Sequence, residues 1–324
     1  MFHWGKMSMV KRSQRFEVTL CKVVTVAILG VVGLFWLATA EVHSAETARS
    51  ETLLDLSGMT WVEGDLFLGV HDAKDNPKKH DWPRVSLIHL PKSELEGVTW
   101  RTANLDFPGP QGRASDLESV CRLPSDKGFL FCESGQEGPD DRRIFHAVMR
   151  GGRLQIVSHI VWPVPIKNVE ATEVCRVGDK MVFLYAERAD SLPSTELRWA
   201  TFSLDPLKIG EFEEVSYRGI DPVGEGARPI VAMDVDSDGL IYIVSAFDTG
   251  SDDGPFRSVV WQIGRVVTDS MGNAKVELGE SKRLGTLDGL KVESITVRER
   301  AYSRKQIYVG TDDEHFGGIL RLLP

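Results

Sequence analysis

From about residue 52 onward, short apolar runs alternate with polar clusters of turn-forming residues, and no run there keeps a helical period. The clearest unit spans residues 116–135, DLESVCRLPSDKGFLFCESG. Two β-compatible runs, 117–123 and 129–132, flank the reversal Pro124-Ser125-Asp126-Lys127-Gly128. A carboxylate stands near each end, Glu118 at the opening and Glu133 at the close. Four other segments can be laid over it. They pair 56–61 with 66–70, 169–174 with 181–185, 230–235 with 240–246, and 292–297 with 306–310. The repeats are spaced by about fifty to sixty residues, the period of a blade of four antiparallel strands.

Further strand candidates fill the intervals: 84–90 and 98–107, 144–149 and 154–162, 197–204 and 212–217, 259–266 and 274–284. The pattern predicts an all-β, five-bladed β-propeller. A six-bladed ring and a sandwich of irregular hairpins are the alternatives. The fifth repeat has only one more strand, 318–323, before the chain ends. Residues 51–56 are expected to supply the missing outer strand and so close the ring, which removes an open edge.

The first 45 residues depart from this pattern and are read as a separate segment, with the propeller occupying 46–324. Lys6, Lys11, Arg12, Arg15 and Lys22 precede an uncharged apolar run, 23–40, that ends in Ala38-Thr39-Ala40. This is the order of an export signal, and the run is also just long enough for a membrane anchor helix. The propeller is therefore expected to be exported, periplasmic or extracellular. On the anchor reading, residues 23–40 tether it to the inner membrane, its only membrane contact.

Residues 1–40 hold five basic residues and one acidic one, so the net charge of −9 becomes −13 for the remainder. That balance argues against nucleic acid as a partner. It suits cation binding. A small-molecule or phosphorylated ligand is the expected partner, and the chain is expected to be a monomer. Cys121 and Cys132 fall on the two strands of one hairpin, where a disulfide is sterically open, with Cys175 as a competitor or all three as buried apolar residues. No Cys or His spacing matches a zinc site.

Charge becomes chemistry where the hairpins open and close, because in a propeller both positions face one mouth. The opening positions read Ser57, Glu118, Glu170, Val231 and Glu293, and the closing positions Asp72, Glu133, Glu187, Asp248 and Asp313. The ring of openings is broken at Ser57 and Val231. Like charges in one funnel call for a counter-ion, and calcium accepts many oxygen ligands with loose geometry. Glu118, Glu170 and Glu293 are the expected calcium ligands. Arg113, Lys167, Arg228 and Lys291 lie just before four openings and are expected to pair with the ring or to hold an anionic ligand. A metal beside basic groups is equipment for ester or phosphoester hydrolysis. His71, His80, His146 and His315 are candidate proton carriers, against the plainer role of hydrogen-bonding residues. The run Asp234 to Gly239, DVDSDG, lacks the twelfth-position Glu of a calcium loop and is expected to be a turn. No nucleophile elbow, phosphate loop or dinucleotide fingerprint occurs.

With the repeats aligned, the sequence resembles the SdiA-regulated propellers and the related esterase-like phytase propellers. The likeness rests on Leu56-Ser57-Gly58, Asp116-Leu117-Glu118-Ser119-Val120, Val169-Glu170-Ala171-Thr172 and Val292-Glu293-Ser294-Ile295. It implies an exported propeller with a Glu-lined, calcium-binding axis. The family's Gly after Glu is replaced here by Ser119, Ala171 and Ser294. Binding of a small ligand at the funnel is the leading expectation, with a calcium-dependent hydrolase and a protein-interaction scaffold as alternatives.

Overall fold

The polar clusters fold as turns because their residues satisfy the reversed backbone locally. In the fourth repeat, Asp236 Oδ1 accepts the N–H groups of Asp238 and Leu240, both at 2.9 Å, and Gly239 takes φ +79°. DVDSDG is a turn, as expected. The computed structural model describes residues 52–72, 82–93, 96–109, 113–136, 138, 142–189, 192–251, 253–301, 303–313 and 317–324. The leader, the 73–81 insertion, His80 and His315 lie outside them. Among the described residues no helix is long and apolar enough to cross a membrane.

Five antiparallel sheets follow one another along the chain. Blade one holds β1 (Gly58–Glu63), β2 (Leu66–Val70), β3 (Val85–His89) and β4 (Thr99–Thr102). Blade two holds β5 (Leu117–Arg122), β6 (Phe129–Glu133), β7 (Arg143–Arg150) and β8 (Arg153–Val161). Blade three holds β9 (Val169–Val177), β10 (Lys180–Glu187), β11 (Ser194–Leu204), β12 (Leu207–Ile209) and β13 (Glu213–Arg218). Blade four holds β14 (Ala227–Val235), β15 (Leu240–Phe247), β16 (Arg257–Thr268) and β17 (Ala274–Asp288). Blade five holds β18 (Val292–Arg298), β19 (Gln306–Thr311) and β20 (Leu320–Leu322). The inner strands pack in the cyclic order β1, β5, β9, β14, β18 and back to β1. The fold is a five-bladed β-propeller.

Burial follows position in the blade. Second strands such as β15 are buried on both faces, whereas the outer strand β8 alternates buried and exposed positions along its first residues. The apolar residues form five clusters, each joining neighbouring blades. Fully burying a side chain of the size of Phe67 or Phe183 contributes about 1.5–3 kcal/mol, so the blade interfaces dominate stability.

Two expectations need correction. Residues 53–56 do not form a regular fourth strand in blade five, which has three. They run as a strap instead: Leu56 N–H donates to Thr311 O at 2.9 Å, and Gly318 N–H donates to Leu53 O at 2.7 Å. Leu53 and Leu56 pack with Phe67 and Tyr308, so the N-terminal segment still ties the last blade to the first. The open disulfide option also closes. Cys132 lies opposite Ser119, Cys121 lies opposite Leu130, and Cys121, Cys132 and Cys175 are all buried free thiols.

Along the axis the inner strands come so close that only short side chains fit. A Cβ on Gly58 would lie 2.8 Å from Ser119 Cα and 2.9 Å from Glu118 O. The space at mid-axis, bounded by Met59, Val120, Ala171, Met233 and Ile295 among others, is about 10 Å³. This plug separates a cavity of about 210 Å³ at one end from one of about 680 Å³ at the other. Gly58→Ala is expected to push β1 off β5 and cost about 1–3 kcal/mol, read from denaturant midpoints. An unchanged midpoint would show that the inner strands are not in close register.

Candidate funnel site

Each ring glutamate stands where its strand steps out of register. Pairing between β5 and β6 jumps from Leu117↔Glu133 to Ser119↔Cys132 and passes over Glu118. Pairing between β9 and β10 passes over Glu170, and pairing between β18 and β19 passes over Glu293. The three glutamates are the extra residues of β-bulges, which turn a side chain off the sheet face and toward the axis. In blade four the register passes over Pro229, Ile230 and Val231, just after Arg228. Arg228 reaches the funnel, while Val231 is buried in the apolar cluster between blades four and five. The break expected at Val231 is therefore a substitution of a cation for an acid. In blade one, the hydroxyl of Ser57 accepts the Asp72 N–H at 3.1 Å.

The funnel of about 210 Å³ is lined by Asp72, Glu118, Glu170, Arg188, Arg228, Asp248, Lys291, Glu293 and Asp312, with Gly250, Ser251 and Phe256. The loop after Asp248 thus contributes to the wall. Arg228 bridges two acids, donating to Asp248 Oδ2 at 2.7 Å and to Glu293 Oε1 at 3.2 Å. Lys291 Nζ lies 3.3 Å from Glu293 and 3.6 Å from Asp312. Arg188 lies 3.6 Å from Glu170, which also accepts from Asn168 Nδ2 at 3.2 Å.

Other expected funnel residues do not line it. Glu133 is fully buried beside Arg143, accepting Arg143 Nε and N–H and the Ser115 N–H, each at 2.9 Å. Glu187 accepts the Lys167 N–H at 2.8 Å and Arg198 Nη1 at 3.0 Å, and the Lys167 side chain is not in the lining. Asp313 accepts the Lys291 N–H at 2.8 Å, and its neighbour Asp312 faces the funnel. Arg113 also stays out of the lining. His71 is buried, with Nδ1 2.6 Å from Asp55 O and Nε2 2.8 Å from Ser86 Oγ, and His146 meets Lys127 O at 2.8 Å. Neither lines the funnel; both take the hydrogen-bonding role.

Asp116, Arg188 and Asp312 were not singled out from the sequence. Each is one or two residues from a position that was, so the signal was present at the wrong offset. Carboxylate oxygens of Asp72, Asp116 and Glu118 lie within 4.8 Å of one another, and this is the one carboxylate cluster of three found among the described residues. Asp116 is fully buried and accepts a hydrogen bond from Ser134 Oγ. The expected trio Glu118, Glu170 and Glu293 is thus divided: Glu118 joins the aspartates, and the other two hold basic groups.

Electrostatics separate the paired acids. Burial pushes Glu293 up, but Lys291, a hydrogen bond with Asp312 and Arg228 together hold it below the usual carboxylate range. Burial, then repulsion from Glu293, pushes Asp312 well above it.

The fold and site define a class: a five-bladed propeller with a carboxylate-rich funnel in which Arg188, Arg228 and Lys291 pair with Glu170, Asp248, Glu293 and Asp312. No protein-family model matches the chain, and no curated protein matches it. Solved structures do show similarity. An exo-1,5-alpha-L-arabinanase from a bovine ruminal metagenomic library is 9% identical, with TM-score 0.47, covering 86% of this chain and 94% of that one. The endo-arabinase from Bacteroides thetaiotaomicron VPI-5482 is 11% identical, with TM-score 0.42, covering 85% and 94%. The WD40 β-propeller domain of Doa1 is 12% identical, with TM-score 0.38, covering 86% and 95%. Likeness at this level transfers no activity to this chain.

Arg228→Met would leave Asp248 and Glu293 buried with less counter-charge and is expected to destabilise by about 3–5 kcal/mol. A loss under about 1 kcal/mol would show that the acids are solvated instead. The raised Asp312 contributes stability that is full below its unfolded value of about 3.9 and is lost as pH rises through its folded value. Asp312→Asn should therefore flatten the decline in melting temperature toward high pH without lowering it at neutral pH. A steeper decline would contradict the assignment.

Proposed function

We propose that the funnel binds a small oxygen-rich anion, phosphorylated or carboxylated, between a divalent cation on one wall and basic side chains on the other. The cation, of the calcium type, is held by Asp72, Asp116 and Glu118. Arg188, Arg228 and Lys291 form the opposite wall. The observation that carries this reading is segregation around the ring. The acidic cluster comes from blades one and two, and the basic groups come from blades three, four and five.

The donor set fits the ion. Three carboxylates are hard oxygen ligands, and donors on opposite sides of one calcium lie about 5 Å apart, compatible with the 4.8 Å spread. Glu170 and Glu293 hold Arg188, Arg228 and Lys291 in place, and an incoming phosphate competes with those carboxylates for the same donors. Export belongs to the proposal, since weak extracellular calcium sites work at about 10⁻⁴–10⁻³ M calcium.

A second reading follows from the same facing walls. A cation opposite basic groups also suits phosphoester hydrolysis, where the ion supplies charge neutralisation and an activated water. In that case Arg228 and Lys291 orient the phosphate, and Glu170 positions Arg188.

Calcium is expected to raise the melting temperature and EDTA to lower it, with about 2.7 kcal/mol gained at a hundredfold excess over Kd. Asp72→Asn and Glu118→Gln should abolish that response. Equal melting curves in calcium and EDTA would remove the ion from the reading. Calcium-dependent turnover of p-nitrophenyl phosphate, lost in Glu118→Gln, selects the hydrolase; ion binding without turnover selects the binding protein.

A further inference from the structure

The larger cavity, about 680 Å³, opens at the other end of the axis, where the inner strands finish. Two of its wall residues are carboxylates on neighbouring strands, Glu173 on β9 and Asp234 on β14. Glu173 is only 6% exposed, and its one hydrogen bond is local, from the Val174 N–H at 2.8 Å. Asp234 accepts the Val297 N–H at 2.7 Å and is bonded by the Thr296 side chain. No cation among the described residues pairs with either acid. Elsewhere on this face the cations are committed: Lys305 to Asp236, Asp238 and Glu299, and Arg122 to Asp126. Arg176 is exposed at the wall and pairs with neither acid.

A buried carboxylate without a cation is costly, and proteins keep such groups where a partner arrives from outside. The rest of the wall says which partner. Leu123, Pro124, Val174, Val235 and Val297 supply apolar surface, and the Trp61 ring already carries the Arg122 guanidinium at 5.2 Å from its centroid. A cationic head and an apolar or aromatic body both find matching surface here. Glu173 and Asp234 are not joined by a third ligand in a metal-competent cluster among the described residues, and the apolar wall beside them suits an organic ammonium group.

We propose that this cavity is a second binding site, for an organic ammonium compound whose cationic head sits between Glu173 and Asp234 and whose apolar body lies against Trp61 and the valines. The site is separate from the funnel, since the two cavities share no lining residue. Arg122 and Arg176 stand in its wall, but neither pairs with Glu173 or Asp234, so the ligand supplies the cation those two acids lack.

Binding is coupled to protons. Burial pushes both acids up, Asp234 to about 7, and repulsion from Asp234 raises Glu173 further. The neighbours do not reverse this. Glu299 adds repulsion at Asp234. Asp236 and Asp126 are acids tied to Lys305 and Arg122. Cys121 and Cys175 are thiols held neutral by burial. An ammonium ligand favours the ionised acids, so it expels a proton and binds more tightly as pH rises.

Titration calorimetry of the intact protein with phenethylammonium chloride tests this. Affinity should be about tenfold weaker at pH 6 than at pH 8, with a heat that varies with buffer ionisation enthalpy as one proton leaves. The neutral isostere 2-phenylethanol should bind at least tenfold more weakly. The double variant Glu173→Gln, Asp234→Asn should lose binding while keeping the calcium response of the funnel, which separates failure here from failure there. No binding at millimolar phenethylammonium, an affinity independent of pH, or equal binding of 2-phenylethanol would overturn the proposal. These three tests use the unaltered protein and stand even where the double variant does not fold.

Discussion

Five strands of like direction converge on one axis, and the space they leave is narrower than most side chains. Everything else adjusts to that constraint. Glycine and serine sit where strands touch most closely, as at Gly58 against Ser119, while Met59, Val120, Met233 and Ile295 close in on the remaining space. At the entry end the strands bulge and place Glu118, Glu170 and Glu293 in the mouth. At the exit end lies a cavity walled in part by Glu173 and Asp234. The crowded middle thus lies between two polar ends.

Burial of so many charges near one axis sets the second constraint. Carboxylates this close are sustained by cations, by hydrogen bonds or by holding a proton. All three influences act on the acids of this fold. Glu293 has Arg228 and Lys291, Glu133 has Arg143 with two backbone N–H groups, and burial with repulsion from Glu293 raises Asp312 well above the usual carboxylate range. Pseudo-symmetry would have supplied five equal acids. The chain breaks it by placing Val231 where a glutamate stands in three other blades and sending Arg228, three residues earlier, into the funnel, and the ring acquires a direction.

The blades were legible from sequence because strand and turn chemistry are local. Alternating runs and Gly-containing reversals located every inner hairpin within a few residues. The strap at 53–56 was legible as a closing element but not in its geometry, since its partners are more than 250 residues away. The site was half legible. Asp72, Glu118, Glu170, Arg228, Asp248, Lys291 and Glu293 were named and do line the funnel. Glu133, Glu187 and Asp313 were named and turn elsewhere, because a bulge or a one-residue offset decides the direction in which a strand-end side chain points. Nothing in a hydropathy pattern encodes that offset. Blade four shows it best: Val231 holds the glutamates' place in the register, yet the side chain that reaches the funnel belongs to Arg228, three residues earlier.

The strap has a consequence for the order of events during synthesis. Residues 53–56 are among the first of the propeller to be made, yet their backbone partners, Thr311 and Gly318, are among the last. Until the final blade is complete, the first blade has an unsealed flank at Phe67 and Ile88, whose cluster also takes in Leu53 and Leu56 of the strap and Tyr308 and Leu320 of blade five. Lys291, Glu293 and Asp312 arrive with that same blade. Ring closure and the pairing of Glu293 with Arg228 are thus one event. Asp248 can meet Arg228 within blade four, but Glu293 and Asp312 take up their cations only when the last blade locks in.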